Sequence, residues 1–191
     1  MGRKIAKLEQ GFTMIEISVV LLLGGVIVAF ATPRITNAMR SYRLGIAAHQ
    51  VADTLKRVKM QAVSENKPAA LVVDTANCQA GMAILNDDGT IKDTYYLRLP
   101  QGMTFERPSV STNPAGVSPS LTAVVSFSKY GSSGSVYRQD FNTRGFPVVT
   151  NASDVVCIFV GIGKDYRAIT MSSVGGIRLY KLDGSTWTAS R

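Results

Sequence analysis

Residues 12–32 of this chain read FTMIEISVVLLLGGVIVAFAT, an apolar run that contains a single charge, Glu16. As an α-helix with a rise of about 1.5 Å per residue, the run would be about 31 Å long, which matches a bilayer core of about 30 Å. A basic flank precedes it, made of Arg3, Lys4 and Lys7 against Glu9. Because such flanks stay in the cytoplasm, we expect the rest of the chain to lie outside it.

The single charge of this apolar run, Glu16, helps to distinguish between a signal peptide, a plain membrane anchor and a segment with an external partner. A secretory signal peptide would have a shorter apolar region followed by a small-residue cleavage site. A plain membrane anchor explains the length and the basic flank but leaves the carboxylate of Glu16 unexplained, because an unpartnered carboxylate is costly there. Two readings remain open: the carboxylate lies shallow and reaches the headgroups, or it meets a cation that another molecule supplies.

The string Gly11-Phe12-Thr13-Met14-Ile15-Glu16 resembles the class III signal of type IV pilins and type II secretion pseudopilins. Pro33 adds to the resemblance, because such proteins commonly carry a proline at this distance from the cleavage site. The resemblance implies that a prepilin peptidase cuts between Gly11 and Phe12 and that the new amino group of Phe12 is methylated. It also implies that Glu16 pairs with the N-terminal amine of a neighbouring subunit during assembly.

Beyond Pro33 the sequence predicts an amphipathic helix from Arg34 to about Glu65, ended by Pro68. Its predicted apolar face comprises Ile35, Met39, Tyr42, Ile46, Val51, Leu55, Val58 and Ala62, and its polar face carries Arg34, Arg40, Arg43, Lys56, Arg57 and Lys59. Strands are predicted at 70–74, 81–85, 94–99, 103–105, 123–127, 136–141, 155–161, 168–171 and 177–181, with glycine turns between many of them. Residues 108–120 are predicted to form a loop.

These elements predict an α+β fold, in which a long N-terminal helix packs on an antiparallel β-sheet. Residues 55–68 and the glycine turns at 141–145 and 175–178 resemble the GspH/FimT family of minor pseudopilins and minor pilins, which implies a type IV pilin-like fold. The expected organisation is a leader (1–11), a transmembrane or filament-core helix (12–32), an amphipathic helix (33–66) and an extracytoplasmic β-rich domain (67–191). The protein would then be a single-pass protein of the inner membrane.

The composition argues against several kinds of catalytic and metal site. His49 is the one histidine, so sites that need two or three histidines are excluded. The aspartates of Asn86-Asp87-Asp88-Gly89 fit a hairpin turn better than a calcium loop, because the spacing is not that of an EF-hand. No cofactor and no metal are expected.

Cys78 and Cys157 have two readings. An extracytoplasmic location permits a disulfide between them, which would close a loop of about 80 residues and stabilise the fold. Alternatively, each is a small buried apolar residue, and the apolar run 155–159 around Cys157 favours burial.

The net charge of +8 favours an anionic partner or surface. The basic residues of the helix fit anionic lipid headgroups, a solvated face or acidic neighbours in a filament. A second basic set in the last third of the chain consists of Lys164, Arg167, Arg178, Lys181 and Arg191. Some T-type minor pilins bind DNA through a Gly-Arg-x-Arg motif, but here Gly176 stands in place of its first arginine; Trp187 could compensate by stacking on bases.

The sequence therefore favours a non-enzymatic minor pilin or pseudopilin of a type II secretion pseudopilus or a type IV pilus. The implied partners are the prepilin peptidase, other major and minor pilins or pseudopilins, the inner-membrane assembly platform and the lipid bilayer. An alternative is a DNA-binding minor pilin that serves DNA uptake. A third class is an anchored protein unrelated to filaments, in which the match around Gly11 is a coincidence.

Overall fold

The computed structural model describes residues 12–118, 121, 123–131, 134–149 and 155–190. Its elements, in chain order, are α1 (Met14–Ser64), β1 (Ala69–Asp74), β2 (Gln79–Leu85), β3 (Ile91–Arg98), β4 (Val136–Phe141), β5 (Val156–Ile162), β6 (Asp165–Met171), β7 (Ile177–Asp183) and β8 (Thr186–Ser190). The strands form two antiparallel sheets, in the orders β3-β2-β1-β4 and β5-β6-β7-β8. The predicted α+β class, a long N-terminal helix with antiparallel sheet, is confirmed. The chain divides after Met39 into two compact units.

In the first unit, helix α1 begins at Met14 and continues through Pro33 without ending. Thr32, the residue before the proline, donates its hydroxyl to the carbonyl of Val28 at 2.8 Å, as threonines in helices commonly do. The helix is long and apolar enough to cross a membrane. Its large apolar side chains are exposed to solvent throughout this unit.

In the second unit, α1 ends at Ser64, as the downstream proline predicted. Its buried residues form a stripe of Leu44, Ala47, Ala48, Val51, Ala52, Thr54, Leu55, Val58 and Ala62. The predicted apolar face is correct from Val51 onward and wrong before it, since Ile35, Met39, Tyr42 and Ile46 are exposed. At about 100° per residue, Tyr42 and Ile46 each point roughly opposite to Leu44, so the core that covers Leu44 leaves them uncovered.

Alternate residues of both sheets join the helix stripe in one main core. Strand β1 contributes Leu71 and Val73, and β5 contributes Ile158 and Val160; all four are almost fully buried. A fully buried side chain of this size stabilises a fold by about 1.5–3 kcal/mol relative to an exposed one. The period of two along each strand is therefore what directs these residues toward the helix.

Three strand predictions need correction. Residues 103–105 and 123–127 form no strand, and their β-pairing is limited to the isolated bridges of Thr104 with Gly161 and of Val125 with Ile158. Strand β8 was not predicted at all. Residues 123–131 change partners instead of pairing with one strand: the amide of Ser126 donates to the carbonyl of Cys157 in β5, and the amide of Tyr130 donates to Val136 in β4. This segment thereby covers one edge of each sheet, which limits edge-to-edge aggregation.

Candidate functional site

The first turn of α1 holds Glu16 in a capping box. The hydroxyl of Thr13 accepts a hydrogen bond from the amide of Glu16 at 3.3 Å, and Glu16 Oε2 accepts from the amide and the hydroxyl of Thr13, each at 3.4 Å. These bonds satisfy amide groups at the start of the helix that would otherwise lack partners. Within the described residues, Glu16 Oε1 receives no hydrogen bond, so one oxygen remains open to an external donor.

The sequence interpretation of Glu16 missed this cap, although the Thr-x-x-Glu spacing that signals it is present at residues 13–16. Phe12, the expected first residue after cleavage, precedes the capping residue directly and is 82% exposed. Gly11, on the other side of the expected cleavage site, lies outside the described residues. The carboxylate of Glu16 is thus partnered by its own chain, a reading that neither of the two earlier interpretations contained.

The second basic set does not form one cluster. Residues Arg167 on β6 and Lys181 on β7 lie directly opposite each other, so their side chains share one face of the sheet. Arg178 lies opposite Thr170, at odd spacing from Lys181, so it projects from the other face. Lys164 is exposed at the turn between β5 and β6, and Arg191 lies outside the described residues.

Acidic residues compensate part of the charge on the Arg167 face. The ammonium group of Lys181 lies 2.6 Å from the carboxylate of Asp183, and this hydrogen bond lowers the pKa of Asp183 below its ordinary value. Burial lowers the pKa of Arg167, while Asp183 and Asp165 act in the opposite direction. Two of the five predicted anion-binding residues therefore already have acidic neighbours.

Trp187 is half-buried and packs against its own domain in this structure. Its ring lies 5.6 Å from the ring of Phe159, centroid to centroid, and its indole N–H donates to the carbonyl of Thr112 at 3.0 Å. It packs against a second buried cluster that includes Cys157, Phe159 and Tyr180. The ring already has partners on both its apolar and its polar side, and its stacking on bases stays a prediction.

Both cysteines are free in this structure, so of the two readings left open by the sequence it contains the one without a disulfide. Cys78 lies half-buried in the turn between β1 and β2, with a φ of 51° and its thiol near the carbonyl of Thr75. Cys157 is fully buried on β5, where burial raises the pKa of its thiol to about 12. The alternative reading of Cys157 as a small buried apolar residue is confirmed.

The segment 86–90 forms the predicted turn between β2 and β3. The carboxylate of Asp88 accepts from the amide and the hydroxyl of Thr90, and these two bonds lower its pKa. Across the described residues no three of the histidines, cysteines, aspartates and glutamates come close enough together to hold a metal ion. His49 is exposed on α1.

Two turn glycines, Gly145 and Gly175, lie close to Lys59 of α1. In the sequence these glycines were notable only for their resemblance to the family's turns. Gly145 has a φ of 74°, and an added Cβ would lie 2.7 Å from Lys59 Cγ. Gly175 has a φ of 81°, and its carbonyl accepts from the ammonium group of Lys59 at 3.5 Å. Both turns have a backbone conformation that disfavours side chains, and at Gly145 the approach to the helix also leaves no room for a Cβ.

No family model matches the chain, and no curated protein matches its sequence. A solved structure, that of the minor pseudopilin EpsH from the Type 2 Secretion System of Vibrio cholerae, matches with 12% identity over 72% of this chain and 95% of that chain, at a TM-score of 0.46. At this identity and TM-score, the match alone decides neither family nor function.

Proposed function

We propose that this protein is a minor pilin or pseudopilin, a non-enzymatic structural subunit of a filament anchored in the inner membrane. A prepilin peptidase cleaves between Gly11 and Phe12, and the new amino group of Phe12 is methylated. The apolar part of α1 holds the subunit in the bilayer until an assembly platform draws it into a type II secretion pseudopilus or a type IV pilus. Other pilins or pseudopilins are its partners there.

One observation carries this proposal. In the first unit, the helix that begins at Met14 exposes its apolar side chains. The acidic group in that stretch, Glu16, lies at the helix start, and within the described residues its Oε1 receives no hydrogen bond. Exposed apolar surface of this extent needs a lipid or protein environment. A carboxylate in that environment is costly without a partner, and the amine of a neighbouring subunit's Phe12 has the right charge to be that partner.

The test expresses the full chain with its prepilin peptidase and determines the N-terminal sequence and the mass of the product. We expect the wild type to begin at a methylated Phe12 and Gly11→Leu to keep its leader, while the control Gly2→Leu is processed normally. Unchanged processing of Gly11→Leu would instead indicate an ordinary membrane anchor. Glu16→Gln should then be processed but fail to enter filaments, since glutamine keeps the cap and loses the charge.

The DNA-binding alternative has no comparable observation in its favour. Its cationic residues lie on two faces of the sheet, and the Arg167 face carries Asp183 and Asp165 as well. DNA uptake therefore stays an alternative that a binding measurement decides, and it is not part of this proposal.

A further inference from the structure

Two arginines and a tyrosine stand exposed at the start of the second unit: Arg40, Tyr42 and Arg43. Tyr42 is 72% exposed. Within the part of the chain that the structure describes, neither guanidinium group has an ion-pair or hydrogen-bond partner. Arg40 and Arg43 are therefore two exposed charges without an ionic partner among the described residues.

The sequence around these two arginines supplies no acid to neutralise them. Between Glu16 and Asp53 the chain contains no aspartate or glutamate. Asp53 itself is bonded to Lys56 at 2.9 Å, within its own turn of the helix. Within the described residues, Arg40 and Arg43 therefore have no acidic partner, and their charges are available to an anionic group of another molecule.

The helix positions of the two arginines are also informative. Arg40 lies one turn before Leu44, in line with the buried stripe through Leu44, Ala47 and Val51. An apolar residue at this position would continue the stripe, but an exposed arginine ends it. Arg43, three residues after Arg40, is its neighbour on the helix surface. The packed core thus begins directly after a basic turn.

The apolar run ends only eight residues before Arg40. At about 1.5 Å per residue, eight residues of helix extend by no more than about 12 Å. The headgroup layer adds about 5–8 Å to each side of the hydrocarbon core. Arginine side chains extend toward this layer, and charges interact over a Debye length of about 8–10 Å. Arg40 and Arg43 therefore lie within electrostatic reach of the headgroups. Tyrosine is enriched at the same level of membranes, so Tyr42 between the two arginines independently indicates the interface.

We propose that Arg40 and Arg43 bind the phosphate groups of anionic phospholipids on the extracytoplasmic surface of the membrane. This inference rests on the proposed function, because it requires the apolar run to span a bilayer. The contact holds the domain at the membrane surface before assembly, and it must break when the subunit leaves the bilayer. An arginine near an anionic surface favours binding by about fivefold, so two arginines give a selectivity of up to about 25-fold.

The experiment reconstitutes the full chain in nanodiscs of equal parts phosphatidylglycerol and phosphatidylcholine and identifies the retained lipids by native mass spectrometry. Arg40→Gln/Arg43→Gln is compared with Arg57→Gln/Arg144→Gln, which removes the same charge from exposed positions farther along the chain. We expect the wild type and the control to retain phosphatidylglycerol in several-fold excess and the Arg40/Arg43 variant to lose most of that excess. The leader's own basic residues contribute equally to all three proteins.

Equal phosphatidylglycerol retention in the two variants would overturn the inference. So would a variant that loses binding to partner pilins while its lipid composition stays that of the control, because the arginines would then serve a protein contact. A chain that does not enter the nanodisc bilayer at all contradicts the proposed function itself. The two failures are thereby distinguishable.

Discussion

Replacing Gly145 by alanine tests the packing of the 142–146 turn against α1. Two costs add at this position. Its φ of 74° lies in the left-handed region, which costs alanine about 1–2 kcal/mol. Its Cβ would lie 2.7 Å from Lys59 Cγ, 2.9 Å from Val63 Cγ2 and 3.1 Å from the backbone oxygen of Lys59, and overpacking of this kind costs about 1–3 kcal/mol. We expect Gly145→Ala to lower the free energy of unfolding by about 2–5 kcal/mol.

Gly89→Ala is the matched control, because Gly89 has a φ of 80° but nothing within 4 Å of an added Cβ. It should carry the backbone cost alone, about 1–2 kcal/mol. The assay is urea unfolding of the full chain in mild detergent, followed by the fluorescence of Trp187, which packs on Phe159 in the second cluster. Equal destabilisation by the two substitutions would refute the close approach of the turn to the helix.

Three further predictions concern charge, acid stability and thiols. We expect Arg178→Ala to leave the salt-dependent retention of DNA in a gel shift unchanged, because Arg178 faces away from Arg167. Burial alone would raise the pKa of Asp74, but bonds from Asn77 and the amide of Ala76 outweigh it and lower the pKa. Its stabilisation is therefore present above about pH 4 and lost as the pH falls through the lowered value, and Asp74→Asn should flatten this part of the pH profile of stability. In the folded protein a thiol reagent should modify Cys78 alone, because Cys157 is buried with a pKa of about 12.

Each of these has a contrary result. Loss of DNA retention with Arg178→Ala would restore the motif-based reading of that residue. An acid transition that is the same with and without Asp74 would mean that its turn forms independently of its charge. Modification of two thiols per folded chain would show that the second cluster opens, and the unfolded chain, with both thiols reactive, calibrates the count.

The helix and most strands could be predicted because their signals are local. An apolar run, a proline that ends a helix and a period of two in strands each act within a few residues. Strand β8 could not be predicted from local signals, because its sequence, TWTAS, is short and largely polar. It takes its strand conformation by pairing with β7. The composition of residues 123–127 favours a strand, but the segment 123–131 to which they belong changes partners between two sheet edges, which no local signal reveals.

The cysteines and the basic residues show the same limit at the candidate site. Spacing along the chain left the disulfide open, whereas the fold buries Cys157 in the second cluster and leaves Cys78 in a turn. A list of cations near the C-terminus suggested one surface, but the alternation of side chains along β7 separates Arg178 from Lys181. Which residues meet depends on register, and register is set by pairing across the sheet.

The sequence by itself determined the apolar helix, the position of Glu16 in it and the expectation of a cleavage site at Gly11, because all three depend on residues within a few positions of one another. Only the tertiary structure decided that the core begins at Leu44, that Arg40 and Arg43 have no ionic partner among the described residues and that Gly145 has no room for a side chain. Those features arise where segments distant in the chain pack together, and the burial, charge and space at such a place are the sum of all the segments that meet there.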